Sequence, residues 1–159
     1  MGDLKKARAA LTRHQIDMRK MYAEKRIIMN INIDKLHCLI DLHVHLDGSV
    51  SIPMAKRLAL INGIELNESE EDLKERLQVS KDCRDLNEYL EKFEFPLTLL
   101  QKAEAITECV RMLIAGQDSQ GIMYSEIRFA PQLHMQKGLT HVEVVQAAIK
   151  GLGNSDYHK

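Results

Sequence analysis

Two short runs limit what this chain can become: LIDLHVHL at residues 39–46 and IMYSEIRFA at 122–130. Each alternates polar and apolar side chains with a period of two, the pattern of a β-strand with two different faces. Asp41, His43 and His45 fall on one face of the first run, and Ile40, Leu42, Val44 and Leu46 on the other. In the second, Tyr124, Glu126 and Arg128 alternate with Met123, Ile127 and Phe129. Helix-like sequence fills the space between them, so the two strands are expected to pair in parallel through a right-handed crossover.

The connecting sequence reads as a series of helices. SIPMAKRLALINGI has Ser51 at its cap, Pro53 in its first turn and Gly63 as its stop. SEEDLKERL opens with Ser69 and Asp72 at capping-pair spacing. DLNEYLEKF is a third short helix, expected to end at Phe95-Pro96. From about Thr98 to Asp118, Leu99, Leu100, Ala103, Ile106, Val110, Leu113 and Ile114 repeat with a period near 3.6. After the second strand, Pro131 halts pairing. THVEVVQAAIKGLG then forms a helix with Thr140 and Glu143 as its capping box and Gly151 or Gly153 near its end.

Residues 1–35 read as an N-terminal helical extension, with Leu4, Ala7, Leu11, His14, Met18, Met21 and Ile28 at heptad-like positions. A coiled coil is disfavoured there, because the pattern spans fewer than four heptads and puts His14 and Lys25 in the seam. Met29 resembles a natural start. Residues 36–159 form the second region, within which about 52–96 is a helical insertion.

Composition excludes several functional classes. The chain has 159 residues and a formal net charge of -1, which gives no general attraction to nucleic acid or an anionic membrane. No apolar run approaches the ~20 residues that span a bilayer. The N-terminus has no apolar core of the secretory kind. Cys38, Cys83 and Cys109 contain no Cys-x-x-Cys pair and read as reduced thiols of a cytoplasmic protein, without a functional role.

Two histidines at i and i+2 on a strand can converge on one cation, and neutral imidazole is a good ligand for zinc. Asp47-Gly48 follows at the C-terminal end of the strand, where barrel enzymes place their chemistry and where a glycine lets backbone approach a ligand. A polar face on each of two parallel strands, opposite an aliphatic one, suits a barrel whose aliphatic side meets outer helices.

DLHVHLDGSV resembles the first-strand signature of the adenosine deaminase family, zinc-dependent hydrolases of the amidohydrolase superfamily. DLNEYLEKFEF is similar to that family's lid helix, and GIMYSEIRFAPQLH to its second strand. The resemblance covers roughly residues 37–150. It implies an α/β fold, the N-terminal part of a TIM (β/α)8 barrel with two parallel strands and their helices. A complete barrel takes ~250 residues, so the barrel is incomplete in this chain.

By the same resemblance, His43 and His45 would be the first two metal ligands of a single Zn2+ site. Asp47, with Gly48 beside it, would meet the 5′-hydroxyl of a purine nucleoside, and His45 would also lie against the substrate. Leu86, Tyr89, Leu90 and Phe93 would cover the substrate, although their spacing equally suits a helix facing an ordinary core. Glu126 and Arg128 would form a structural, buried ion pair under the site. The family's remaining ligands, its proton-donating glutamate and its water-activating histidine come from later strands. No catalytic residue is therefore expected within this chain, which is expected to be inactive alone.

The implied reaction is hydrolytic deamination of adenosine or a related amino-purine. Two other readings stand beside it: a non-catalytic half-barrel serving as an association surface, and another metal-dependent hydrolase that begins with His-x-His on a strand. The Leu-Asp-Gly-Ser continuation counts against the last. An exposed parallel edge would favour self-association or a complementing C-terminal fragment.

Overall fold

The computed structural model describes residues 39–153; the expected helix at 4–28, Cys38 and His158 lie outside them. The chain begins with β1 (Leu39–His45) and a 3-10 turn at Asp47–Ser49. There follow α1 (Ile52–Asn62), α2 (Glu70–Leu77), α3 (Leu86–Glu91), α4 (Glu94–Leu99) and α5 (Ala103–Ser119). β2 (Ile122–Arg128), a 3-10 turn at Pro131–His134 and α6 (His141–Gly153) complete the order. β1 and β2 pair in parallel, as the intervening helices required.

Local chemistry explains most of the boundaries. Gly63 ends α1 in the left-handed region at φ 70, where its backbone N–H reaches back to the last carbonyls of the helix. Ser69 and Asp72 close a reciprocal capping box on α2, and Thr140 and Glu143 do the same at the start of α6. Asp85 caps α3 by accepting from the backbone N–H groups of Asn87 and Glu88.

Two expected boundaries differ. Pro96 does not end a helix but sits in the first turn of α4, where its missing N–H has no intrahelical partner to lose. The long helix begins at Ala103, because Thr98 and Leu99 belong to α4 and the chain breaks between the two helices.

The core lies between the helices and one side of the sheet. Leu46, Leu58, Leu73, Leu99, Leu100 and Ile106 are fully buried, with Val44, Ile127 and Phe129 packed against them. α6 lies against α5 at very close range. A Cβ at Gly151 would stand 2.6 Å from the Thr107 carbonyl oxygen and 2.7 Å from Val110 Cβ, so only glycine fits. Gly151 is therefore a packing contact inside the helix rather than its terminator. The Thr107 hydroxyl adds a hydrogen bond to the Ala147 carbonyl at 2.9 Å.

The strand faces depart from simple alternation. The ladder pairs Leu39 with Ile122 but Ile40 with Tyr124, leaving Met123 as an extra residue in β2. It then pairs Asp41 with Ser125 and Val44 with Ile127, so Leu42 and His43 together oppose Glu126. That second irregularity is a β-bulge, and it inverts the facing of everything on one side of it. Leu39, Asp41 and Val44 are half-buried, whereas Ile40, Leu42, His43 and His45 are exposed. Asp41 thus parts company with the two histidines, and Ile40 and Leu42 do not pack on the helices as strict alternation predicted. Val44 and Leu46 do. In β2, Tyr124, Glu126 and Arg128 keep the expected common open face, with Ser125 and Ile127 turned inward.

Candidate metal and substrate site

The bulge leaves backbone groups without ladder partners, and two side chains satisfy them. The His43 N–H donates to Asp41 Oδ1 at 3.0 Å. The Leu42 carbonyl accepts from Arg128 Nη2 at 2.9 Å. Asp41 and Arg128 therefore hold the bulged backbone in place immediately beside His43. The role of Arg128 was not legible from local spacing, since its bond joins positions 86 residues apart.

With the backbone fixed, the imidazoles of His43 and His45 stack at a centroid distance of 5.1 Å and bring their Nε2 atoms to 3.1 Å. Two nitrogens bound at ~2.0–2.1 Å to one tetrahedral zinc would lie roughly 3.3 Å apart. The pair is thus already spaced for one cation, and it can share an Nε2–H···Nε2 hydrogen bond without one. Among the described residues no group of three His, Cys, Asp or Glu side chains could hold a metal ion. His134 and His141 do not join the pair. The donors present fit half of a zinc site.

Past the histidines the chain turns sharply. Leu46 N–H donates to the Arg128 carbonyl at 3.0 Å, carrying the parallel ladder one step further. The Ser49 hydroxyl then closes onto the His45 carbonyl at 2.6 Å. Inside this turn Asp47 is only 6% exposed, and its Oδ1 accepts from the Gly48 N–H at 3.0 Å. Its charge reaches deeper groups. Burial first, and then the Asp47 charge, push the Cys109 thiol up to about 12. Burial lowers the pKa of His134, against a backbone hydrogen bond to Leu100 and the charge of Asp47.

His134 is a buried side chain that local sequence did not single out. Its Nδ1 lies 3.1 Å from the Leu100 carbonyl, its ring meets Phe129 edge-on, and its Nε2 has no hydrogen-bond partner. Gln101, buried and next to Leu100 in the chain, clasps three backbone groups: its amide donates to the Leu97 and Leu133 carbonyls and accepts from Gln136 N–H. Both residues tie the turn after β2 to the end of α4.

The residues expected to cover a substrate are not core. α3 buries none of its side chains, and Leu86, Tyr89 and Leu90 are exposed. Phe93, just beyond α3, meets Tyr89 edge-on at 5.5 Å and lies over Gly48, where a Cβ would stand 3.1 Å from Cε1 of its ring. Arg76 of α2 stacks 3.6 Å above the neighbouring Phe95 ring and pairs with Glu68, which ties the insertion to α4. Glu126 and Arg128 do pair, at 3.5 Å, but both are about half exposed rather than buried. Among the described residues the sheet has two strands, and that face is open.

Known proteins resemble this chain over most of its described residues. The adenosine deaminase family model matches residues 38–157. The chain is 46% identical over 115 residues to an adenosine deaminase of Haemophilus ducreyi, which covers 72% of this chain and 33% of the relative. It is 41% identical over 118 residues to one from Clostridium perfringens, covering 74% and 36%. Among solved structures, adenine deaminase from Arthrobacter aurescens superposes with a TM-score of 0.61 at 27% identity, covering 72% of this chain and 34% of that one. The Arabidopsis N6-mAMP deaminase gives 0.59 at 24% identity and supports the fold alone. The chain thus spans about a third of the length of the relatives it matches.

Proposed function

Since the chain belongs to the adenosine deaminase family, we propose that residues 39–153 carry the first part of a zinc site for hydrolytic deamination of adenosine or a related amino-purine. The observation that carries this reading is the 3.1 Å approach of His43 and His45 Nε2 at the C-terminal end of β1. His43 and His45 would hold the ion. Zinc bound there would supply a Lewis acid that lowers the pKa of a water molecule.

The chain's other residues receive and orient the substrate. Asp47 is held in its turn by the Gly48 N–H and can accept a hydrogen bond from a sugar hydroxyl. Gly48 offers backbone without a side chain at the point where Phe93 comes down. Leu86, Tyr89 and Leu90 present an exposed apolar surface on α3 suited to a purine. Residues supplied by later strands of such a barrel would complete the ligand set and transfer the protons, so this chain by itself forms no inosine.

Metal analysis of the purified chain tests the reading, with His43→Ala as its control. Stoichiometric zinc that is lost in the variant supports it, and zinc content indifferent to His43 overturns it. A second reading, a non-catalytic half-barrel that serves in association, draws on the exposed apolar residues of α6. It predicts a defined oligomer by light scattering in the absence of metal.

A further inference from the structure

The turn after β2 is fastened to the end of α4 from both sides. From the α4 side, Gln101 uses its whole amide on backbone, donating to the Leu97 and Leu133 carbonyls at 2.8 Å each and accepting from Gln136 N–H at 2.9 Å. From the turn, His134 is fully buried and reaches back to the Leu100 carbonyl at 3.1 Å. A carbonyl only accepts, so Nδ1 carries the proton and Nε2 is a bare lone pair in the neutral ring. That buried nitrogen has no hydrogen-bond partner.

The position suits a neutral ring and not a charged one. A second proton, on Nε2, would put a positive charge and an unpaired N–H into the interior, and both are costly there. Burial accordingly outweighs the Leu100 hydrogen bond and the charge of Asp47, and the pKa of His134 falls below its ordinary 6.5. Among the described residues Asp47 is the only charge that shifts it. Cys109 of α5, within reach of the same Asp47 charge, is a neutral thiol. Glu94 of α4 and Glu104 and Arg111 of α5 are exposed, while Glu108 is paired with Arg57 and Arg111. His141, Glu143 and Lys150 of α6 are exposed, as are Glu126 and Arg128 of β2.

The location gives this ring leverage. It joins Phe129, just past β2, to Leu100, just past α4, and α4 packs on the turn that holds Asp47. We propose that His134 is a pH-operated latch: neutral, it fastens the turn after β2 to the Leu97–Gln101 segment, and a second proton on its ring lets the two part. Parting loosens α4 and with it the Asp47 turn, so the substrate-receiving surface is ordered at neutral pH and loosened in acid. The latch itself stands on the packing, and its bearing on substrate rests on the reading of Asp47 given above. A histidine whose folded pKa is depressed contributes stability that is complete above its unfolded pKa and lost as pH falls toward the folded one. The transition therefore lies below 6.5.

Hydrogen exchange of the full 159-residue chain, followed by NMR, tests it. After correction for intrinsic rates, protection of the Gln136 N–H is expected to be about tenfold lower at about pH 5 than at about pH 7.5. His134→Asn keeps an N–H for the Leu100 carbonyl and takes up no proton, so it should show no such drop. His43→Ala should keep the parent's profile. If His134→Asn fails to fold, the ring signals of His134 in the parent decide: protonation must run over the same pH range as the loss of protection. Protection that is flat or rises in acid, protonation of His134 without loss, an equal drop in His134→Asn, or a drop abolished by His43→Ala would each overturn the latch. Zinc takes no part in these measurements. Zinc content indifferent to His43 would refute the metal site and leave the latch standing, and protection indifferent to pH would do the reverse.

Discussion

Arg128 of β2 donates from Nη2 to the carbonyl of Leu42 at 2.9 Å, across the bulge that sets the position of His43. The guanidinium does not touch the imidazoles' nitrogens, yet it holds the backbone from which one of them projects. Arg128→Ala should therefore weaken zinc binding by about tenfold, in the range seen when outer partners of metal ligands are removed. Competition with a chromophoric chelator measures this. Affinity equal to the parent chain's would show that the bulge keeps its shape without the arginine.

Gly151 offers a prediction of unusual sign. Replacing glycine by alanine inside a helix ordinarily stabilises it by about 1 kcal/mol. Here the new Cβ would meet a carbonyl oxygen at 2.6 Å and Val110 Cβ at 2.7 Å. Gly151→Ala should instead destabilise the chain by about 1–3 kcal/mol, the cost of overpacking. Urea unfolding followed by circular dichroism gives the answer, and a raised midpoint would contradict it.

Acid sensitivity follows from Glu108. A hydrogen bond from Arg111, with further help from Arg57, holds its carboxyl at about 2, below the ordinary 4.5. A carboxyl lowered by folding contributes stability that is complete above its unfolded pKa and is lost as pH falls toward the folded one. Thermal midpoints should therefore drop between about pH 4.5 and pH 2 more steeply in the parent chain than in Glu108→Gln. Parallel profiles would remove Glu108 from the account.

The cysteines should differ in reactivity. Cys109 is buried, with its thiol raised to about 12, so it carries almost no thiolate at neutral pH. Cys83 is partly exposed. Brief alkylation of the native chain at pH 8, followed by peptide mapping, should modify Cys83 and spare Cys109 until denaturant is added. Equal labelling of both would indicate frequent opening of the α5 region.

What could be read from the sequence divides along a physical line. Ser69 with Asp72 and Thr140 with Glu143 act within one turn of backbone, so their spacing alone announced two helices. The parallel pairing of β1 and β2 was equally legible, because the helical sequence between them permits little else. Pro96 misled, since the missing N–H that stops a helix from within is harmless in a first turn. The separation of Asp41 from His43 and His45 had no local signature. It depends on a one-residue bulge stabilised by an arginine from the other strand. Whether Glu126 and Arg128 would be buried depended on neighbours that two strands do not provide.

The two irregularities of the sheet also cancel. Met123 lengthens β2 by one residue before Ile40 pairs with Tyr124, and the Leu42–His43 bulge lengthens β1 by one before Val44 pairs with Ile127. The strands leave the sheet in the same alignment with which they entered it, Leu39 beside Ile122 and His45 beside Arg128. Their lengths are therefore coupled. Removing Met123 alone would leave the Leu42–His43 bulge to absorb a one-residue difference in length, whereas removing one extra residue from each strand would keep both ends aligned and erase the kink between them. The facing of every side chain between those ends is thus set by two extra residues on different strands acting together, which no single position in either reveals.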